Sequence, residues 1–341
     1  MKSVLSSLFT LFCFFLILLC PQEAFEGARS GLFLWFETLL PTLFPFMVLT
    51  NLLIHTQALS YITQILKPIL CPIFHVSENG SFAILCGFLC GYPMGAKVIA
   101  SLCREQKLSR SEGQYLLSFC NNTSPMFLLN YVILSALHLP GNAGNILLLS
   151  LASPVCISFF TRFLVFESET HRFRFHKPHL LFPAKSPSGP GRKSLTCSNG
   201  PGMKPISRSA SQFASAAPNL SFLKLLEESL ADASAAILQV GGYVILFSVL
   251  LNLGIRFRID RTLPGLIALS SLEITTGIQL LTQAPAFCRI PCVLFLTGFG
   301  GVCALFQSAA MIRDSGLSFF PYIIEKLATG LVTSLLTFLF L

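Results

Sequence analysis

The sequence predicts an all-α polytopic membrane protein built as an inverted repeat, with two re-entrant hairpins and two broken helices. Three observations lead there. The composition is too apolar for a water-soluble domain: hydrophobic residues are 53% and charged residues 11% of 341, against about a quarter charged in soluble domains. Polar and glycine-proline motifs interrupt several apolar segments. Basic residues cluster in loops whose placing restricts the topology. Mean hydropathy is +0.71, and the 33 phenylalanines suit lipid-facing surface. The length admits about eight to ten segments of roughly 20 residues. Much of the net charge of +8 sits in one polar loop, which fits a topology determinant rather than a nucleic-acid footprint.

The first apolar segment, 4–20, follows Lys2 like a signal peptide. No small-x-small site follows it, and Leu19 before Cys20 is a poor lipoprotein cleavage context, so residues 1–22 read as an uncleaved span. Segment 31–54 is next. Residues 58–76, with Lys67 and Pro68, are too polar for a span and fit an interfacial helix. Segments 80–103, 113–137 and 143–166 complete the first half. From 167 to 221 the chain turns to Ser, Pro, Gly and basic residues, as in Ser186-Pro187-Ser188-Gly189-Pro190-Gly191-Arg192-Lys193. That composition predicts a disordered cytoplasmic loop. The second half holds 230–255, 263–281, 291–312 and 319–341. The expected domains are an N-terminal span (1–22), a first repeat (31–166), the basic loop (167–221) and a second repeat (222–341).

Gly91-Tyr92-Pro93-Met94-Gly95-Ala96-Lys97 lies in the middle of 80–103. Gly and Pro loosen the helical ladder, and a charge at bilayer depth costs several kcal/mol. Non-helical backbone at that depth must be buried in protein or line a cavity. Charge counting agrees. If 80–103 crossed the bilayer, Arg104, Lys107, Arg110 and the 167–221 loop would all lie outside. A hairpin that enters and leaves on the inner face returns them to the cytoplasm. Segment 263–281, which contains Glu273, Thr275, Thr276 and Gly277, reads the same way from the opposite face. The halves are then mirror arrangements, at the cost of leaving Arg256, Arg258 and Arg261 outside. A weak internal match supports the repeat: Phe46-Met47-Val48-Leu49-Thr50-Asn51-Leu52 agrees with Phe247-Ser248-Val249-Leu250-Leu251-Asn252-Leu253 at five of seven positions, pairing Asn51 with Asn252.

Four interruptions occupy matched places: Gly91–Lys97 in the first hairpin, Asn121-Asn122-Thr123-Ser124-Pro125 in the helix after it, Ser270–Gly277 in the second hairpin, and Thr297-Gly298-Phe299-Gly300-Gly301 in the helix after that. Breaks expose N–H groups that attract anions and carbonyls that attract cations. The expected substrate-binding residues are Lys97, Asn121, Asn122, Glu273 and Thr275. The expected backbone breaks are at Gly91, Pro93, Gly95, Pro125, Gly277, Gly298, Gly300 and Gly301. Lys97 either snorkels to the inner interface or meets a substrate anion or Glu273. Glu273 has no basic neighbour in its segment and needs a partner or a proton. The two asparagines either bond neighbouring helices or form part of a site. Gln307 is a weaker polar candidate, and Glu37, ahead of Pro41 and Pro45, lies near the outer interface.

No soluble-enzyme signature occurs: no Walker A, no Rossmann glycine pattern and no GxSxG, so no enzymatic activity is expected. The twelve cysteines are scattered without a CxxC. Cys86 with Cys90, and Cys288 with Cys292, lie in apolar surroundings, so neither disulfides nor a metal site is expected, and no cofactor.

Leu40-Pro41-x-Leu43-Phe44-Pro45-Phe46, Gly91-Tyr92-Pro93-x-Gly95-Ala96-Lys97 and Leu116-Leu117-Ser118-Phe119-x-Asn121-Asn122-x-x-Pro125 resemble motifs of the YlbJ-type sporulation integral membrane protein family. So do Ser271-Leu272-Glu273-x-Thr275-x-Gly277 and Gly298-Phe299-Gly300-Gly301. The resemblance spans nearly the whole chain outside 167–221. The long basic loop and the richness in Cys and Phe depart from the family pattern without touching the motifs. That family belongs to the nucleoside recognition, or Gate, group, similar to the core of concentrative nucleoside transporters. The resemblance implies an inverted repeat around a midplane site, a role in endospore formation, and dipicolinate as cargo. The expected function is transport of a small polar or anionic solute by alternating access in a bacterial cell or forespore membrane. The expected partners are that solute and the bilayer. Nucleoside transport, or a non-transporting scaffold for spore-envelope assembly, are the alternatives.

Overall fold

The computed structural model describes residues 2–56, 58–167 and 222–340, and their regular elements are helical. Five helical stretches are long and apolar enough to span: Pro21–His55, Pro140–Arg162, Phe222–Arg256, Ala286–Met311 and Phe319–Phe340. The chain opens with α1 (Lys2–Leu19), which exposes Leu11, Phe12, Phe14, Phe15 and Leu18. Pro21, whose missing N–H costs nothing at a helix start, begins α2 (Pro21–Phe33). A π-helical turn, Leu34–Leu39, leads into α3 (Leu40–His55), just ahead of Pro41. This unit starts ten residues before the expected 31–54 segment, because helix continues through the polar positions Glu23, Glu26 and Arg29.

The apolar residues Tyr61, Ile65, Ile69 and Ile73 recur every fourth position along α4 (Ala58–Phe74) and are all exposed. This helix, over which an interfacial helix is expected, meets α5 (Glu78–Cys90) at 89°. Ser77 caps α5 with its hydroxyl, accepting from Gly80 N at 3.2 Å. After the turn Gly91-Tyr92-Pro93, with a cis Tyr92–Pro93 bond, α6 (Met94–Arg104) packs back on α5. Next come α7 (Arg110–Phe119), a break at 120–124, and α8 (Pro125–Phe127) continuing as a π-helical segment, Leu128–Ala136. The half closes with α9 (Ala143–Glu167). The expected loop over 167–221 lies outside the described residues, apart from Glu167.

The second half opens with α10 (Phe222–Arg256), which begins eight residues before the expected 230–255 segment. At about 1.5 Å per residue, its 35 residues exceed a hydrocarbon core of about 30 Å. Then follow α11 (Leu263–Ser270) and α12 (Ile274–Leu281), which pack on each other about Ser271–Glu273. Gly300 separates α13 (Ala286–Phe299) from α14 (Gly301–Met311), and α15 (Phe319–Phe340) ends the described chain. On α15 the apolar residues Phe320, Ile324, Leu331, Leu335 and Phe338 are exposed, while Tyr322, Lys326, Thr329, Thr333 and Thr337 are buried. That inside-out pattern is what lipid on one face and protein on the other demand.

Contacts between the halves are reciprocal. α6 meets α14, and α12 meets the π segment Leu128–Ala136. α7 meets α15, and α13 meets α9, while α3 packs on α10. The core between them holds Met47, Met94, Ile99, Leu116, Leu117, Phe119 and Tyr322, all fully buried.

Candidate functional site

The first break follows from its sequence. Pro125 has no N–H and sits at the first position of α8, and Ser124 Oγ caps that helix through Phe127 N at 3.3 Å. The side chains of Asn121 and Asn122 hold the break. Asn121 Oδ1 accepts from Ala96 N at 3.2 Å, and its Nδ2 donates to Ser308 Oγ and Tyr322 OH, each at 2.7 Å. One buried amide thus joins α6, α14 and α15. Asn122 Nδ2 donates to Phe119 O, and its Oδ1 accepts from Lys326 Nζ at 2.9 Å. Lys326 Nζ also donates to Asn121 O at 3.0 Å and stands 5.0 Å from the centre of the Tyr92 ring. Thr123 Oγ1 donates to Thr297 O at 2.6 Å. Glycine is required where the hairpin hugs this break: a Cβ on Gly87 or Gly95 would collide with the Cys120 carbonyl oxygen, and Gly91 adopts φ +80° beside Ser124.

The second break is organised by backbone. Glu273 is buried and N-caps α12, its Oε1 and Oε2 accepting from Thr275 N at 3.0 Å and Thr276 N at 2.8 Å. The N–H groups of the helix it begins take the place of the basic partner that its segment lacks. Thr275 O accepts from Tyr131 OH at 2.7 Å, tying this hairpin to the helix after the first break. Ser271 O and Leu272 O accept from Val302 N at 2.7 Å and Cys303 N at 2.9 Å, so the hairpin tip caps α14. Gly300 (φ +90°) leaves room for the Tyr92 ring, and Tyr92 OH donates to Gly298 O at 3.3 Å.

Lys97 is buried on α6, with Nζ 2.9 Å from Asp232 Oδ2 on α10. Asn51 Nδ2 on α3 donates to the same oxygen at 2.6 Å. Lys97 therefore pairs with Asp232 rather than Glu273. Asn252, the expected counterpart of Asn51, donates to Ser248 O on its own helix at 3.0 Å.

Residues 36–166 match the family model described as Gate, nucleoside recognition. Over 360 aligned residues the chain is 27% identical to the sporulation integral membrane protein YlbJ of Bacillus subtilis (strain 168), covering 99% of this chain and 82% of that protein. No solved structure matches. The chain is an integral membrane protein, and residues 36–166 are its Gate-like region. The first hairpin and the first break lie within the Gate region; Glu273, Thr275, Gly298 and Lys326 lie beyond it.

The structure gathers Asn121, Asn122, Gly91, Pro93, Gly95, Pro125, Gly298 and Gly300 around the first break of the Gate region. Thr275 joins through Tyr131. Gly277 packs against Ser270 in the second hairpin, and Gly301 (φ +80°) starts α14 beside it. Lys97 and Glu273 keep separate partners. Gln307 Nε2 donates to Cys303 Sγ at 3.2 Å within α14, and Glu37 is exposed on the π-helical turn. Between the breaks, Asn122, Thr123, Leu128, Ser150, Thr297, Gly298 and Thr329 line a cavity of about 10 Å³, room for about one water. Sequence reasoning missed Lys326, Asp232, Tyr131 and Tyr322. For Lys326 and Tyr322 a signal existed: with Thr329, Thr333 and Thr337 they form a polar stripe at three- and four-residue spacing in an apolar helix.

Proposed function

We propose that the chain carries a small polar or anionic solute across a membrane of a sporulating bacterium, by alternating access between inverted repeats at 31–166 and 222–341. The observation that carries this reading is the reciprocal packing: each half's hairpin meets the other half's broken helix, and α3 meets α10. Element i against j together with j against i is what a two-fold relation between repeats produces, and charge counting places the two hairpins on opposite faces. The name of the Bacillus subtilis relative supports the sporulation setting.

Each break is closed by packing against a hairpin, and the cavity between the breaks has room for about one water. Solute entry therefore requires one hairpin to withdraw. Withdrawal of the first hairpin moves Lys97 away from Asp232 and exposes Asn122 and the N–H groups before α8. A flat dicarboxylate such as dipicolinate would replace Asp232 on Lys97 and meet the amides. The Gate description supports a nucleoside as second reading, hydrogen-bonded by Glu273 and the asparagines. No chemical conversion of the solute is proposed.

The test is uptake of labelled dipicolinate and labelled nucleosides into liposomes holding the purified chain. Lys97→Ala should slow uptake of a dianion about tenfold, equivalent to ~1.4 kcal/mol, and change uptake of a neutral nucleoside far less. Wild-type uptake by Lys97→Ala and Glu273→Gln rejects this site, and absence of uptake of either solute favours the scaffold reading. Cysteines placed at Glu78 and Gln106 in a Cys-depleted chain should both be labelled from the cytoplasmic side. Labelling from opposite sides would reject the re-entrant hairpin.

A further inference from the structure

We infer that Lys326 is a built-in cation, whose ammonium fills the place at the first break that a free monovalent cation takes where a broken helix bares its carbonyls. The inference concerns binding and stability, and stands whether or not the chain moves a solute.

The site is created by the sequence. In an unbroken helix Asn121 O would accept from the N–H four residues on, but that residue is Pro125, which has none. The orphaned carbonyl lies just past the C-terminal end of α7, where the helix dipole favours positive charge. In transporters such carbonyls coordinate monovalent cations. Here Lys326 Nζ takes it at 3.0 Å, with Asn122 Oδ1 at 2.9 Å and the Tyr92 ring face at 5.0 Å. Two N–H bonds of the ammonium are thus used on oxygens, and the charge stands over an aromatic face. Asn122 Oδ1 is held toward the lysine because the same amide's nitrogen donates to Phe119 O. The two oxygens and the ring are uncharged, and the side chain is fully buried. Lys97 differs in this respect: its partner Asp232 is a half-exposed carboxylate, an ordinary ion pair. Lys326 Nζ is held directly by neutral oxygens at a helix break, as an alkali ion is, with the carboxylate of the adjacent Glu325 as a further electrostatic partner.

Removal of the ammonium should therefore leave a vacant cation site. The full-length chain, unaltered and as Lys326→Ala, is purified in detergent. Its melting temperature is measured in sodium, propylammonium or tetramethylammonium chloride at equal concentration. The unaltered chain should melt at one temperature in all three salts. Lys326→Ala should melt several degrees lower in tetramethylammonium, which is too large to enter. Sodium or propylammonium should restore most of that loss, and adding Asn122→Leu to Lys326→Ala should abolish the restoration. Equal melting of Lys326→Ala in the three salts overturns the inference, as does restoration that survives loss of Asn122. If Lys326→Ala fails to insert, the unaltered chain decides alone: stabilisation by sodium over tetramethylammonium overturns the inference, and indifference supports it.

Discussion

The first break, residues 120–124, is held by side chains, whereas the second, at Gly300, is held by main chain. Around the first, Asn121, Asn122, Thr123 and Lys326 reach across to four other segments. Around the second, α14 takes its first acceptors from the carbonyls of Ser271 and Leu272, and the side chains that join are Glu273, capping α12, and Tyr92 and Thr123, donating to Gly298 O and Thr297 O. The reason is length. A break of five residues bares several polar groups at membrane depth, more than one neighbouring turn can satisfy, and each unsatisfied group there costs several kcal/mol. Two adjacent left-handed glycines, Gly300 and Gly301, bare fewer. Specific polar side chains are therefore indispensable in the first half and replaceable in the second.

The largest test of this contrast is steric. Gly87→Ala pushes a methyl into the Cys120 carbonyl, main chain that cannot yield, and should lower stability by about 3 kcal/mol. Gly242→Ala, with open space around it, should stabilise slightly through helix propensity. Similar melting temperatures for the two variants would break the picture of a hairpin clamped on the first break. Next comes Asn121→Ala, which strands Ala96 N–H and unpairs Ser308 and Tyr322 from the amide; a loss of about 2 kcal/mol is expected. At the second break, Glu273→Ala should cost about 1 kcal/mol, the usual worth of an N-cap, and Glu273→Gln less, since one acceptor oxygen remains. A loss at Glu273 exceeding that at Asn121, in the same thermal melts, would invert the comparison.

The smallest expected effect is on pH dependence, outside the membrane. Glu105, after α6, meets His55 Nε2 at 2.8 Å and Lys107 Nζ at 2.7 Å. Burial pushes its carboxyl up, but these two partners hold it below the usual glutamate range. A depressed carboxylate stabilises the fold above its unfolded pKa, and that contribution is lost as pH falls through the folded value. The melting temperature should therefore fall below about pH 4, and Glu105→Gln should flatten that acid limb. In the second half the turn after α12 is closed by main chain and by Arg289 Nε donating to Ala284 O at 3.2 Å, so no carboxylate there should contribute to the limb.

Composition and periodicity determined the class of this protein, because a bilayer forces long apolar helices and makes every Gly, Pro, Asn or Glu within them conspicuous. Asn121-Asn122 before Pro125 and the glycines around Tyr92 and Gly300 were legible for that reason. Pro125 even dictates which carbonyl is orphaned. Helix starts at Pro21 and Phe222 were not legible, since apolar windows end where a helix becomes amphipathic while the backbone continues. Partner choice belonged to tertiary structure alone. Lys97 meets Asp232 on α10, 135 positions away, and Lys326 meets Asn122 across 204. Glu273 looked like a charge in need of a counter-ion, yet the N–H groups of its own next turn satisfy it. A sequence reports that a polar group at depth must be satisfied. Only the packing of helices distant along the chain decides by which group, because in a low-dielectric interior the nearest donor or acceptor prevails whatever its place in the sequence.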